Sequence, residues 1–179
     1  MGGMDMTQDE ALVFAGLTKQ YPGMERPALD DLTMTVARGE VFGYLGPNGA
    51  GKSTTIRLLL DLIRPTRGRV TVFGHDAQRS ALLAKRQIGN LPGELRLWDH
   101  LSGRETLRYL AQLRPGSDLD YAAVLAERLS LDLDRRAGSY STGNRRKLGI
   151  VQAMMHRPAL LVLDEPTTGL DPLVRQGFH

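Results

Sequence analysis

Residues 46–53 read Gly-Pro-Asn-Gly-Ala-Gly-Lys-Ser, and no other stretch restricts the fold of this chain so tightly. The pattern G-x-x-x-x-G-K-[ST] is met in full. Ahead of it runs a short apolar segment, Val41 to Gly46, expected to be a strand ending in glycine. Behind it Ile56, Leu59, Leu60 and Ile63 fall at i, i+3, i+4 and i+7, one face of a helix. That helix is expected to stop at Arg64-Pro65, because the residue before proline avoids helical geometry. Strand, glycine loop and helix, in that order, form the frame in which such a loop cradles phosphate. Gly46, Gly49 and Gly51 permit backbone conformations that a Cβ would oppose. Successive N–H groups then converge on phosphate oxygens at a helix N-terminus, where the dipole also favours anions. Lys52 supplies a point charge to the β- and γ-phosphates, and the Ser53 hydroxyl ligates Mg²⁺. The expected phosphate-contacting set is Gly46, Pro47, Asn48, Gly49, Ala50, Gly51, Lys52, Ser53 and Thr54.

Such a loop requires a partner carboxylate on a neighbouring strand to hold the metal's water shell. Leu160-Leu-Val-Leu-Asp164 has the continuous apolar character of a buried parallel strand, with Asp164 at its C-terminal end. Glu165 follows, where it would polarise a water aimed at the γ-phosphate. The alternative is that the two acids only cap a turn before Pro166.

Elsewhere the chain reads as α/β. Leu32, Met34 and Val36 alternate at period two, a half-buried strand. Residues 69–74 and 87–93 contain two further strands. Ser102 followed by Glu105 is a capping box opening a helix to about Leu113, and a second helical pattern spans about Leu119 to Leu129. The expected architecture is a P-loop NTPase core, a parallel sheet flanked by helices, with a β-rich N-terminal part and a helical insertion. The core would comprise about 12–91 and 155–179, and the helical subdomain, about 92–154.

Tyr140-Ser-Thr-Gly-Asn144 lies between the two motifs, and here the chain resembles the nucleotide-binding domain of ATP-binding cassette (ABC) transporters. The family signature is L-S-G-G-Q; Ser141 and Gly143 match it, while Tyr140, Thr142 and Asn144 differ. Pro166-Thr-Thr-Gly-Leu-Asp-Pro172 matches the family's D-loop, with Asp171 as its aspartate, and Tyr21 matches the aromatic that stacks on adenine. The motifs come in the family's order from about Leu12 to the last residue, and the flavour of residues 140–150 and 91–107 resembles multidrug and antibiotic exporters. The resemblance implies an ATPase, with ATP and Mg²⁺ as cofactors, Glu165 and Lys52 catalytic, and Ser141 and Gly143 facing nucleotide on a second ATPase subunit. Those partners, in a homo- or heterodimer, would sit with an integral membrane permease at the inner face of the cell membrane. Thr142 adds a Cβ where the family has glycine, which is expected to weaken contact with the γ-phosphate.

Two departures bear on activity. Where the family carries the Q-loop glutamine this chain has Gly93, followed by Glu94; Glu94 is either a substitute metal ligand or a solvated loop acid. The strand that would bear the family's switch histidine does not follow, and His179 is not assigned that role. The expectation is a truncated subunit that keeps the outline of its ATP site while turnover is impaired. A soluble non-transport ABC ATPase and a non-catalytic nucleotide-binding fragment are the alternatives.

Composition narrows the remaining classes. The chain has 179 residues, no cysteine and a net charge of +3. Disulfide and thiol chemistry are therefore excluded. The polar N-terminus is unlike a signal peptide, and no apolar run approaches the ~20 residues a bilayer span needs. A soluble, cytoplasmic protein is expected. The run Arg145-Arg-Lys147 is expected to be a solvated helix face; it lacks the aromatic interleaving of a nucleic-acid surface, and no nucleic acid is expected as partner. His75, His100 and His156 are expected at the surface or at helix ends. Leu97 and Trp98 are either a contact for the membrane partner or ordinary packing.

Overall fold

Glu10–Lys19 forms β1, the strand around which the first part of the molecule is built. The computed structural model describes residues 9–47 and 49–164, and the chain divides into two units, residues 1–87 and 88–179. In the first unit β1 pairs antiparallel with β2 (Leu29–Ala37) and with β3 (Arg67–Val72); β3 turns back into the short β4 (His75–Asp76). The order is β2-β1-β3-β4. Three register shifts interrupt the pairing of β1 with β2, after Glu10, after Phe14 and after Leu17, and its buried residues Ala11, Leu12, Phe14, Leu17 and Thr18 do not alternate. The hairpin between β3 and β4 is closed by Phe73 and Gly74, both at positive φ as a two-residue type I′ turn requires.

Helix α1 (Lys52–Leu59) follows the glycine loop and buries Thr55, Leu58 and Leu59. It ends well before the Arg64-Pro65 expected from sequence. Asp61 takes a left-handed conformation (φ 50°), its N–H donating to Leu58 O at 3.1 Å, and Leu62 N–H donates to Arg57 O at 2.9 Å. These two bonds are a Schellman stop, and aspartate is among the few residues that accept its geometry. A second correction concerns Val41 to Gly46. Among the described residues this segment has no strand pairing; Val41 is 99% and Leu45 91% exposed. Six residues with two glycines have weak strand propensity, and only pairing on both edges makes such a segment a parallel strand. A six-residue helix α2 (Ala81–Arg86) completes the unit.

The second unit carries the parallel pair: β5 (Ile88–Leu91) and β6 (Leu160–Leu163) run in register, Ile88 beside Leu160 and Leu91 beside Leu163. Between them lie α3 (Gly103–Leu113), α4 (Leu119–Arg128) and α5 (Thr142–Met154), as the sequence predicts. The capping box holds: Glu105 N–H donates to Ser102 Oγ at 3.2 Å, and Ser102 N–H to Glu105 Oε2 at 2.7 Å. Leu107, Leu125, Leu133, Tyr140, Leu148 and Val151 form the helical core. Helix α5 lies close on β5 because glycines meet there. A Cβ on Gly89 would stand 2.2 Å from Ala153 O, and one on Gly149 would stand 2.6 Å from Leu91 Cδ1.

Candidate functional site

The first unit presents the glycine loop at the start of α1. Gly49 (φ 86°) and Gly51 (φ 83°) adopt left-handed backbone; Gly51 is the N-cap and brings no side-chain cap to the helix. A Cβ there would stand 2.7 Å from Ala28 O, so both conformation and space demand glycine. The first turn of α1 contains no acid, which leaves its dipole unneutralised toward an anion. Lys52 folds back over the loop, Nζ donating to Gly46 O and, at 2.8 Å, to Pro47 O. Its charge is thus held at the loop mouth. Ala50 N–H donates to Pro47 O at 3.2 Å, closing the turn. Thr55 anchors the helix start from below, its Oγ1 donating to Gly51 O at 3.0 Å. Ser53 is exposed and Thr54 partly so. Tyr21 is half-buried, with Lys19 Nζ 5.1 Å from its ring centroid.

In the second unit Asp164 closes β6, its N–H donating to Leu91 O at 2.9 Å. A Cβ on Gly93 would stand 3.1 Å from Asp164 Oδ2. The position that the Q-loop glutamine would occupy therefore abuts the carboxylate and carries no side chain. Glu94, by contrast, turns into solvent: its side chain is 87% exposed and lies 3.7 Å from Arg96. The solvated-acid reading fits that placement. Ser141 caps α5, accepting from Asn144 N–H at 3.2 Å, and stands at an exposed helix end beside Thr142 and Gly143. Among the described residues no three acids or histidines gather as a metal cage. Mg²⁺ does not require one, since it is taken by one or two oxygen ligands together with phosphates and water. Asn48, Glu165 and Asp171 lie outside the described residues.

One residue read as solvated is not. Arg146 is 5% exposed; Nη1 donates to Pro92 O at 2.7 Å and Gly93 O at 3.1 Å, and Nη2 to Asp164 O. The spacing of Arg146 with Ile150 and Ala153, i, i+4 and i+7, was the available signal, because those two residues face Leu91. Arg145 does point outward, to Asp99 Oδ1. His156 follows α5 half-buried, its Nε2 3.2 Å from Ile88 O; burial and nearby Arg114 push its pKa down. Trp98 is 42% exposed and meets Tyr109 edge to face, centroids 5.2 Å apart.

The sequence pattern of the ABC transporter family matches residues 29–168, which include the glycine loop, the Ser141 cap and Asp164. The chain belongs to the ABC transporter family. Among curated ABC proteins it is 43% identical to the daunorubicin resistance ATP-binding protein DrrA3 of Streptomyces coeruleorubidus, over 92% of this chain and 53% of that protein. It is 41% identical to ATP-binding cassette sub-family A member 7 of Mus musculus, over 95% of this chain and 8% of that protein. The chain thus spans about half of the bacterial ABC relative and a small part of the mouse one. A solved ATP-binding subunit of an ABC transporter superposes with a TM-score of 0.81 at 32% identity, covering 93% of this chain and 70% of that one. The dimeric cassette MJ0796 shares the ABC fold at a TM-score of 0.80 and 22% identity, covering 92% and 78%.

Proposed function

We propose that the chain is the ATP-binding and ATP-hydrolysing part of an ABC exporter, energising passage of a drug or other small molecule through a separate membrane permease. The observation that carries this reading is the loop at α1: Gly49 and Gly51 at positive φ, an uncapped helix start, and Lys52 poised over the Gly46 and Pro47 carbonyls. These donors suit a triphosphate. Tyr21 would stack on the base. Mg²⁺, when bound with the nucleotide, neutralises charge on the β- and γ-phosphates; Ser53 and Asp164 are the residues that would hold it. Gly93 places no side chain against the Asp164 carboxylate, where a Cβ would stand 3.1 Å from Oδ2, and this suits a hydrated cation there. Glu165 would orient the attacking water.

The exposed end of α5, with Ser141 and Gly143, would meet nucleotide on a second ATPase subunit, its backbone N–H groups and dipole aimed at phosphate. The exposed Trp98–Tyr109 pair would contact the permease, an amphipathic aromatic contact of the kind enriched at interfaces. Attachment would come through that partner at the cytoplasmic face; no helix among the described residues is long and apolar enough to cross a membrane. Drug export is suggested by the Streptomyces relative, whose name records daunorubicin resistance.

Phosphate release by the purified chain tests the hydrolytic assignment. Mg²⁺-dependent release that disappears in Glu165→Gln, with ATP still bound, is expected. Equal release by both proteins would contradict it.

A further inference from the structure

An always-charged guanidinium is costly to bury unless its donors are met. Arg146, at 5% exposure, meets that condition at Nη1 and Nη2, and in an informative way: the carbonyls they hold belong to Pro92 and Gly93 after β5 and to Asp164 at the end of β6. The Asp164 backbone is thereby held on either side of its Cα, its N–H on Leu91 O and its C=O on Arg146. Its carboxylate faces the residue-93 position, 3.1 Å from where a Cβ would stand. Arg146 lies on the same helix as the Ser141 cap, one turn farther along. A planar fork can bridge carbonyls on two chain segments; the point charge of lysine cannot span them equally.

We propose that Arg146 is a positioning residue that fastens the Asp164 carboxylate and the residue-93 turn to the first turns of α5, so that the metal-facing acid and the Ser141 helix end move as one body. The proposal rests on the nucleotide reading above for its function, while the fastening itself does not. Without the clasp, the bond that Asp164 keeps among the described residues is the one to β5, and its carboxylate loses a fixed direction. Outer supports of this kind tune a metal ligand without touching the metal. Neighbouring Arg145 provides a control, since it reaches outward to the exposed Asp99.

The test uses the whole 179-residue chain. Wild type, Arg146→Met, Arg146→Lys and Arg145→Gln are compared by amide hydrogen exchange without ligand, and by titration with a fluorescent ATP analogue in Mg²⁺ and in EDTA. In Arg146→Met, exchange should rise selectively at the amides of residues 91, 93–95 and 164. Its affinity in EDTA should stay within about twofold, while the tightening produced by Mg²⁺ should fall by about tenfold, the low end for a lost outer support. Arg146→Lys should fall between, and Arg145→Gln should match wild type. Wild-type exchange at the amides of 91, 93–95 and 164, an unchanged Mg²⁺ effect, or a uniform rise across α3, α4 and α5 would overturn the proposal. Should Arg146→Met fail to fold, Arg146→Lys decides by the same readouts. Absence of nucleotide binding in wild type would remove the nucleotide reading, and selective exchange would still decide the clasp.

Discussion

The Tyr140 hydroxyl donates to the Asp132 carbonyl oxygen at 2.6 Å, and a Cβ on Gly103 would stand 2.5 Å from that same hydroxyl. The first position of the signature segment is therefore a member of the helical core, packed with Leu107, Leu133 and Leu148, and not a ligand contact. Burial raises the pKa of the phenol, which keeps it a donor. Tyr140→Phe should lower stability in urea by about 1 kcal/mol, the net worth of one such bond, with nucleotide affinity unchanged. A loss of nucleotide affinity at full stability would show that Tyr140 acts in the site.

Gly103 sits under the same hydroxyl, so Gly103→Ala should cost about 1–3 kcal/mol by overpacking. Gly89→Ala should cost at least as much, because the obstacle is the Ala153 backbone oxygen and not a flexible side-chain end. Urea unfolding of the two variants checks both. A cost below about 0.5 kcal/mol for Gly89→Ala, the range of ordinary surface changes, would mean that α5 is not held this closely to β5.

The helical unit was legible wherever local signals set its limits. Ser102 and Glu105 announced α3, because capping is settled within four residues of sequence. The end of α1 was misplaced because Asp61, not a proline or glycine, takes the left-handed stop. β1 passed unread since its register shifts break the alternation that marks a strand. Arg146 was missed because its acceptors are main-chain carbonyls far away in sequence, and carbonyls carry no residue identity. The glycine loop was the most readable feature. Its function depends on backbone conformations that few sequences permit.

Ser102→Ala should lower stability by about 1 kcal/mol, since it removes the acceptor for Glu105 N–H. Ser102→Asp restores an acceptor and should recover most of that loss. The thermal midpoints of the two variants decide; equal midpoints would show that the capping box contributes nothing measurable.

His156 sets a pH dependence with a definite sign. Its pKa in the fold is depressed, first by burial and then by Arg114, so the unfolded chain protonates first as pH falls. Stability is full above the unfolded value of about 6.5 and is lost progressively as pH falls below it. Asp118 and Glu105 have lowered pKa values through hydrogen bonds to backbone N–H groups; their contribution is lost only in the acid range below about 4. Between pH 7.5 and 5.5 the melting temperature of wild type should drop more than that of His156→Gln. Parallel curves would remove His156 as the cause.

Calorimetric titration of the folded chain with Mg·ATP, beside Lys52→Ala, tests the central claim most directly. The loop geometry predicts saturable binding by wild type and a loss of at least about tenfold in affinity on removal of the ammonium that Gly46 and Pro47 hold at the loop mouth. Equal affinity in the two proteins, each with a native melting transition, would contradict it.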